Sequence, residues 1–301
     1  MQAERSHPLL AVALTLVMSA MFAAMDSLVS WLGAVVPVLA LLSWRYATQA
    51  LVMGCWLARS GRRRFASTRP GFQALRGMLL LMTSALSFIA LQHMPVAEFT
   101  AVMLLGPVFV TLLAAAFLHE PVGRWRWALL TASLAGALIV IRPGSGLFGY
   151  AALLPLGGAL CYACFQVLTR RFAFAEDPLT THFWTGAVGT AVLLPVLAGT
   201  GIGSAAWAAL SAMQWLAVVV IGLLGTAGHL LLVLAAKLAP PSTLMPFIYV
   251  QLAFASLFGW LLFTRLPDVW GWAGMALIGA SGAASAWLNL RRAPPTPATR
   301  A

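Results

Sequence analysis

Charged side chains are scarce in this chain: 8% of its 301 residues, with 7 Asp and Glu against 18 Lys and Arg. A water-soluble domain needs roughly a quarter of its residues charged, so this composition excludes a water-soluble surface. Cysteine is also rare. Cys55, Cys161 and Cys164 all fall inside apolar runs, and an odd count there is not a disulfide framework. The C-x-x-C spacing of Cys161 and Cys164 lacks a second ligand pair and reads as small residues at a helix contact. Several motifs are missing altogether. There is no G-x-x-x-x-G-K-[ST], which excludes ATP hydrolysis by this chain. There is no H-E-x-x-H, and no Ser-His-Asp set at matched depth, so hydrolysis has no candidates and an enzyme is not expected. No filter-like loop repeats around a pore, which argues against a selective ion channel. No metal and no cofactor is called for.

Hydrophobic residues are what the chain has instead, at 61% of the whole, with mean hydropathy +0.92. They fall into runs of roughly twenty, the length that crosses about 30 Å of hydrocarbon as an α-helix. Marking the breaks gives about ten spans, at 9–32, 37–58, 76–93, 97–118, 125–142, 149–169, 179–199, 211–236, 242–264 and 268–290. The fold class expected is an all-α membrane protein of ten transmembrane helices. Arg5 precedes the first run as in a signal peptide, but the run is long and no A-x-A site follows, so the first helix is read as uncleaved. With the N-terminus in the cytoplasm, fifteen of the 18 cations fall on the inner side. Arg142 and Arg265 fall outside, and Arg45 lies within a span. This positive-inside pattern puts both termini in the cytoplasm. The net charge of +11 therefore reads as orientation and contact with anionic lipid by the basic 59–76 loop, not as nucleic-acid binding. Trp31, Trp56, Trp125, Trp127, Trp207, Trp215, Trp270, Trp272 and Trp287 lie near span ends as an aromatic belt.

A weak internal repeat divides the chain near residue 145. Trp44-Arg45 matches Trp184-Thr185 at an offset of 140, and the 92–96 connection matches 237–241 at an offset of 145. Each half holds five spans, an odd number, so the halves enter the membrane with opposite orientation. The organisation expected is a first repeat at 1–145, an inverted repeat at 146–292 and a disordered cytoplasmic tail at 293–301. Inverted-topology repeats are the architecture of secondary transporters, with the site at the repeat interface near mid-membrane. Pro107 and Pro246 interrupt helices at similar places in the two halves and mark candidate pathway helices. Asp177-Pro178 reads as an N-cap followed by Pro at the first helical position.

Ionisable residues at membrane depth are functional candidates. Asp26 and Arg45 each lie roughly 14 Å below the outer edge on adjacent antiparallel helices, counting 1.5 Å per residue, and are expected to pair, directly or through water. His229 sits inside the eighth span beside Gly222 and Gly225, where a proton relay and an interhelical hydrogen bond both remain open. Glu98 opens the fourth span, His119 and Glu120 close it, and His93 is interfacial. The other mid-depth polar groups are Gln49, Ser84, Gln166, Thr226, Tyr249 and Gln251, with Phe22, Phe88, Phe109, Tyr162 and Phe254 as aromatics. From these the substrate-lining set is Phe22, Asp26, Ser84, Phe88, Met103, Pro107, Tyr162, Gln166, Thr226, His229, Tyr249 and Gln251. A cavity of that kind suits an amphipathic or aromatic small molecule. With Arg45 as the only deep cation, phosphorylated substrates are disfavoured.

The pattern resembles the drug/metabolite transporter superfamily, in particular its ten-helix EamA-type exporters. The residues that carry the likeness are Pro95 to Thr100, Leu105-Gly106-Pro107-Val108-Phe109, Leu118-His119-Glu120-Pro121 and Trp44-Arg45-Tyr46. Arg265-Leu266-Pro267 departs from it, standing where the family repeats a glutamate. The Ala239–Ser242 turn and the Pro246–Gln251 run are most similar to aromatic amino-acid exporters. The resemblance implies export of aromatic and other neutral amino acids across the bacterial inner membrane, by a protein whose partners are its substrate and the bilayer, acting as a monomer. Two alternatives stay open: a broad exporter of drug-like or cationic compounds, with Asp26 as the carboxylate, and a structural membrane protein without transport.

Overall fold

The structure is a computed structural model describing residues 8–60, 65–117, 123–142, 145, 147–172, 177–201, 207–239, 244 and 247–292. Among the described residues it is entirely helical. The helices are α1 (Pro8–Leu32), α2 (Val38–Ser60), α3 (Pro70–Ala90), α4 (Val96–Met103), α5 (Gly106–Phe117), α6 (Arg124–Ile141), α7 (Leu153–Phe172), α8 (Pro178–Thr200), α9 (Ala212–Leu238), α10 (Val250–Phe263) and α11 (Val269–Arg292), with a 3₁₀ turn at Gly149–Ala152 before α7. Six helices are long and apolar enough to cross a membrane by length and composition, and Trp127–Ile141 and Val250–Phe263 are shorter apolar helices. Large apolar side chains such as Leu9, Leu51, Leu138, Leu216, Leu257 and Trp270 face outward. A surface of that kind belongs in lipid.

Local signals explain the element ends. Asp177 caps α8 as expected, its carboxylate accepting from Leu179 N at 2.9 Å with Pro178 at the first helical position. Ser211 and Gln214 form a reciprocal capping box at the start of α9. Pro107 has no N–H for the carbonyl four residues back, and the expected fourth span is accordingly two helices, α4 and α5, broken at Leu104–Leu105. Pro246, its expected counterpart, lies outside the described residues, as do His119, Glu120, the 240–242 part of the turn and the 293–301 tail.

The helix pairs that pack most closely join the two halves of the chain. Helix α1 packs on α9 and α10, while α7 packs on α3 and on α4 and α5. Helix α2 packs on α9, and α8 packs on α3. The pairs α2–α8, α6–α11 and α4–α10 complete the set. Exchanging α1 with α7, α2 with α8, α3 with α9, α4 and α5 with α10, and α6 with α11 maps this set onto itself. The α6–α11 crossing shows the exchange in atoms. A methyl group built on Gly136 would lie 2.9 Å from the Gly274 carbonyl oxygen, and one on Gly274 would lie 2.6 Å from the Gly136 carbonyl oxygen. Only glycine lets two backbones meet this closely, which in lipid is a main source of helix association.

The bundle has two ends. The connections at 33–37, 91–95 and 264–268 share the end where α6 finishes, here called the Arg142 end. The other, where α2 finishes and α3 begins, is the Arg76 end.

Candidate functional site

A buried polar layer lies where α1, α2, α3, α8 and α9 meet. Arg45, Tyr46 and Gln49 project from successive turns of α2, and Arg45 is only 2% exposed. Its Nη1 donates to Ser84 Oγ at 3.1 Å, and Ser84 Oγ lies 3.0 Å from Tyr46 OH. Arg45 fits because Gly225 faces it: a methyl group there would stand 2.9 Å from Arg45 Nε. That Nε has no hydrogen-bond partner.

Gln49 joins the layer to α8. Its Nε2 lies 3.0 Å from the His182 carbonyl oxygen and 3.2 Å from His182 Nδ1. His182 Nε2 lies 3.3 Å from the Thr226 carbonyl oxygen, which can only accept. The network therefore assigns the proton to Nε2 and leaves Nδ1 to accept from Gln49. His229 Nδ1 lies 2.9 Å from the Gly225 carbonyl oxygen, which by the same reasoning makes its Nε2 an open acceptor. The two imidazoles lie nearly parallel, and the Phe22 ring meets His229 edge-on with centroids 4.8 Å apart. Asp26 follows Phe22 by one turn and is 6% exposed.

Asp26 and Arg45 form no direct ion pair. Arg45 acts on Asp26 through its charge, but among the described residues the ion pair within bonding distance is Arg142–Asp268, and Arg45 turns its guanidinium to Ser84. The reason is packing: α1 lies against α9 and α10 far more than against α2. Arg45 is also not the only deep cation. Arg76, counted above with the 59–76 loop, lies inside α3 and is 6% exposed. Its Nε donates to Thr169 Oγ1 at 2.8 Å, its Nη1 donates to Thr185 Oγ1 at 2.7 Å and to the Thr181 carbonyl at 3.1 Å, and its guanidinium covers the Phe165 ring at 4.4 Å.

Of the twelve expected lining residues, Phe22, Asp26, Ser84, Thr226 and His229 come together in this layer. Tyr162 stacks on Phe165 at 5.9 Å and so joins the Arg76 cluster, with Gln166 one turn further along α7 and half-buried. Phe88 is buried in the central core. Met103 Sδ is 3.9 Å from Ser87 Oγ where α4 meets α3, and Pro107 opens α5. Tyr249 belongs elsewhere. It packs against Gly282 of α11 and the separate core of α6 and α11, with Gln251 half-buried two residues later.

At the Arg142 end, Arg142 Nη1 meets Asp268 Oδ2 at 2.7 Å, tying the end of α6 to the start of α11. Asp268 Oδ1 also accepts from Gly271 N at 2.8 Å. That backbone bond, and then the Arg142 guanidinium, hold its carboxyl below the usual carboxylate range. Beside this pair opens a cavity of about 600 Å³, walled by the α3–α4 connection, Glu98 and the α10–α11 connection.

Helices of the two halves thus pack by exchange around a buried polar layer. The EamA-like transporter family matches residues 9–142 and again residues 149–285. The chain belongs to the EamA-like transporter family. That family is one of transporters. Among curated relatives, a riboflavin transporter of Brucella anthropi is 27% identical over 86% of this chain and 93% of its own length. A riboflavin transporter of Rhizobium johnstonii is 31% identical over 78% of this chain and 76% of its own. An S-adenosylmethionine uptake transporter of Rickettsia felis is 24% identical over 75% of this chain and 74% of its own. A solved crystal structure with 21% identity superposes at a TM-score of 0.64 over 96% of this chain and 99% of that one, which supports the fold. These relatives are named for riboflavin and S-adenosylmethionine, not for aromatic amino acids.

Sequence reasoning missed His182 and Arg76 in this EamA-like transporter. His182 follows Thr180 and Thr181 in the first turns of α8, which reads as a helix terminus; its burial depends on α2 and α9 covering it. Arg76 had a usable signal. Pro70 marks a helix start, which places Arg76 two turns inside α3.

Proposed function

We propose that this transporter works by alternating access, with ten spans arranged as inverted halves at 1–145 and 146–292 and both termini in the cytoplasm of a bacterial cell. The substrate site is the polar layer between the halves. What supports this is the set of open polar groups within it: among the described residues Arg45 Nε and Gln49 Oε1 are buried without partners, and Asp26 and Arg45 form no direct ion pair. Buried groups of this kind are costly unless something completes them. A small molecule with its own charges and hydrogen-bonding groups would do so.

The layer favours a substrate that joins a planar ring to a zwitterionic or polyhydroxy tail. An ammonium group suits Asp26, a carboxylate suits Arg45, and the Phe22 and His229 rings suit a ring face. S-adenosylmethionine has a fused ring and an amino-acid head, riboflavin has a fused ring and a polyol, and aromatic amino acids are the smallest members of the class. Export of aromatic amino acids therefore remains a reading within it. Cationic drugs are a second reading, favoured by Asp26 standing without an ion partner.

The test is flux in proteoliposomes with labelled riboflavin, S-adenosylmethionine, tryptophan and a lipophilic cation. Saturable efflux of one ring-bearing metabolite, reduced at least tenfold by Q49L and D26N, is the expected result. Flux of the cation alone supports the second reading. Folded protein that moves none of the four overturns the proposal.

A further inference from the structure

The cavity at the Arg142 end shares no lining residue with the buried layer, and its wall has its own charge pattern. Its volume of about 600 Å³ falls within the range of small-molecule sites. Both halves contribute. Gln92, His93 and Glu98 come from the α3–α4 connection and the first turn of α4, while Ser256 and Arg265 come from α10 and the connection after it.

Two carboxylates and two guanidiniums lie in this region, and one of each is already used. Asp268 and Arg142 neutralise each other at 2.7 Å, and Asp268 also caps α11 through Gly271 N. Glu98 and Arg265 form no ion pair among the described residues, although Arg142 and Asp268 also act on Glu98 through their charges. Glu98 is 7% exposed, yet among the described residues its Oε2 has no hydrogen-bond partner. Arg265 stands exposed on the wall, just past Thr264, which ends α10 in the left-handed conformation at φ 53°. Within the internal repeat, Arg265 occupies the position that Glu120 holds in the first half, at an offset of 145. The second half has thus replaced an acid by a base where the cavity opens.

We propose that this cavity is a second docking site, for a zwitterionic head group whose ammonium meets Glu98 and whose carboxylate meets Arg265. A wall with one free charge of each sign complements a dipolar ligand and rejects a singly charged one. A monovalent anion leaves Glu98 buried without a partner. A monovalent cation leaves Arg265 unused and meets its repulsion. By the charge distribution the site lies on the outer side, where a substrate arrives or departs. It shares no lining residue with the polar layer.

The experiment is equilibrium binding without flux, to protein in lipid nanodiscs. The probes are phenylalanine, phenethylamine and 3-phenylpropionate, which share a ring and differ only in charge. Phenylalanine is expected to bind about tenfold more tightly than either analogue, the scale of one charge-assisted hydrogen bond. R265E should weaken phenylalanine about tenfold and make phenethylamine the preferred probe. S256W, which fills the cavity, should weaken all three. Arg265 is exposed, so R265E tests the site without a folding defect. A probe ranking unchanged by R265E, or binding unaffected by S256W, overturns the proposal. D26N separates the two sites: binding that responds to R265E and not to D26N belongs to this cavity even if flux through the central layer is never found.

Discussion

His182 of α8 and His229 of α9 lie with ring centroids 6.1 Å apart and planes 21° from parallel. Each ring gives one N–H to a carbonyl of α9, at Thr226 and Gly225. His182, whose other nitrogen accepts from Gln49, is therefore held as a neutral tautomer. The interhelical hydrogen bond that was one of two readings for His229 is found on His182 instead; His229 bonds within its own helix.

The Gln49–His182 pair should behave as a unit. H182F and Q49L should each destabilise the protein by about 1–3 kcal/mol, because each strands a buried polar group. The double variant should lose about 1 kcal/mol less than the sum. Unfolding in detergent, read as a double-mutant cycle, checks this, and strict additivity would refute the coupling.

Gly225 should tolerate nothing larger. G225A places a methyl group against Arg45 Nε and should cost about 1–3 kcal/mol through overpacking. G279A, on α11 with no atom within 4 Å of the added methyl, should be neutral or slightly stabilising. Thermal unfolding of the two variants side by side is the measurement. Equal melting temperatures would show that Gly225 does not make room for the guanidinium.

Arg76 is expected to resist conservative replacement. Its two engaged nitrogens reach α7 and α8 at once, and its flat face covers Phe165. Lysine has neither the fork nor the planar face. R76M should lower stability by about 3 kcal/mol or more, since it leaves buried acceptors open, and R76K should recover little of that. Wild-type stability in R76K would return Arg76 to the role of a simple orientation charge.

Asp268 provides a pH signature. Its folded-state pKa lies below the unfolded value of about 3.9, mainly through Gly271 N and then through Arg142. Its contribution is therefore full above about pH 4 and is lost as pH falls through the lower folded value. The melting-temperature gap between wild type and D268N should be widest near neutrality and close under acid. A gap that widens toward low pH would contradict the pairing.

What the sequence determined by itself is what depends on neighbours along the chain. Runs of apolar residues located the helices because crossing lipid is a matter of length and hydrophobicity. Asp177-Pro178 started α8 and Pro107 broke α4 from α5 because capping and a missing N–H act within one turn. The matched Trp44 and Trp184 each stand seventh in their helices, α2 and α8. The start of α3 was read six residues late, since Arg76 looks like a loop charge until Thr169, Thr181 and Thr185 surround it. Only the tertiary structure decided which polar groups meet. Asp26 and Arg45 share a depth, but depth does not set the rotation of a helix about its axis. Packing α1 on α9 and α2 on α8 turned Arg45 to Ser84 and Gln49 to His182. Side-chain partnership depends on that rotation, and rotation is settled by close contact between distant segments, such as Gly136 with Gly274.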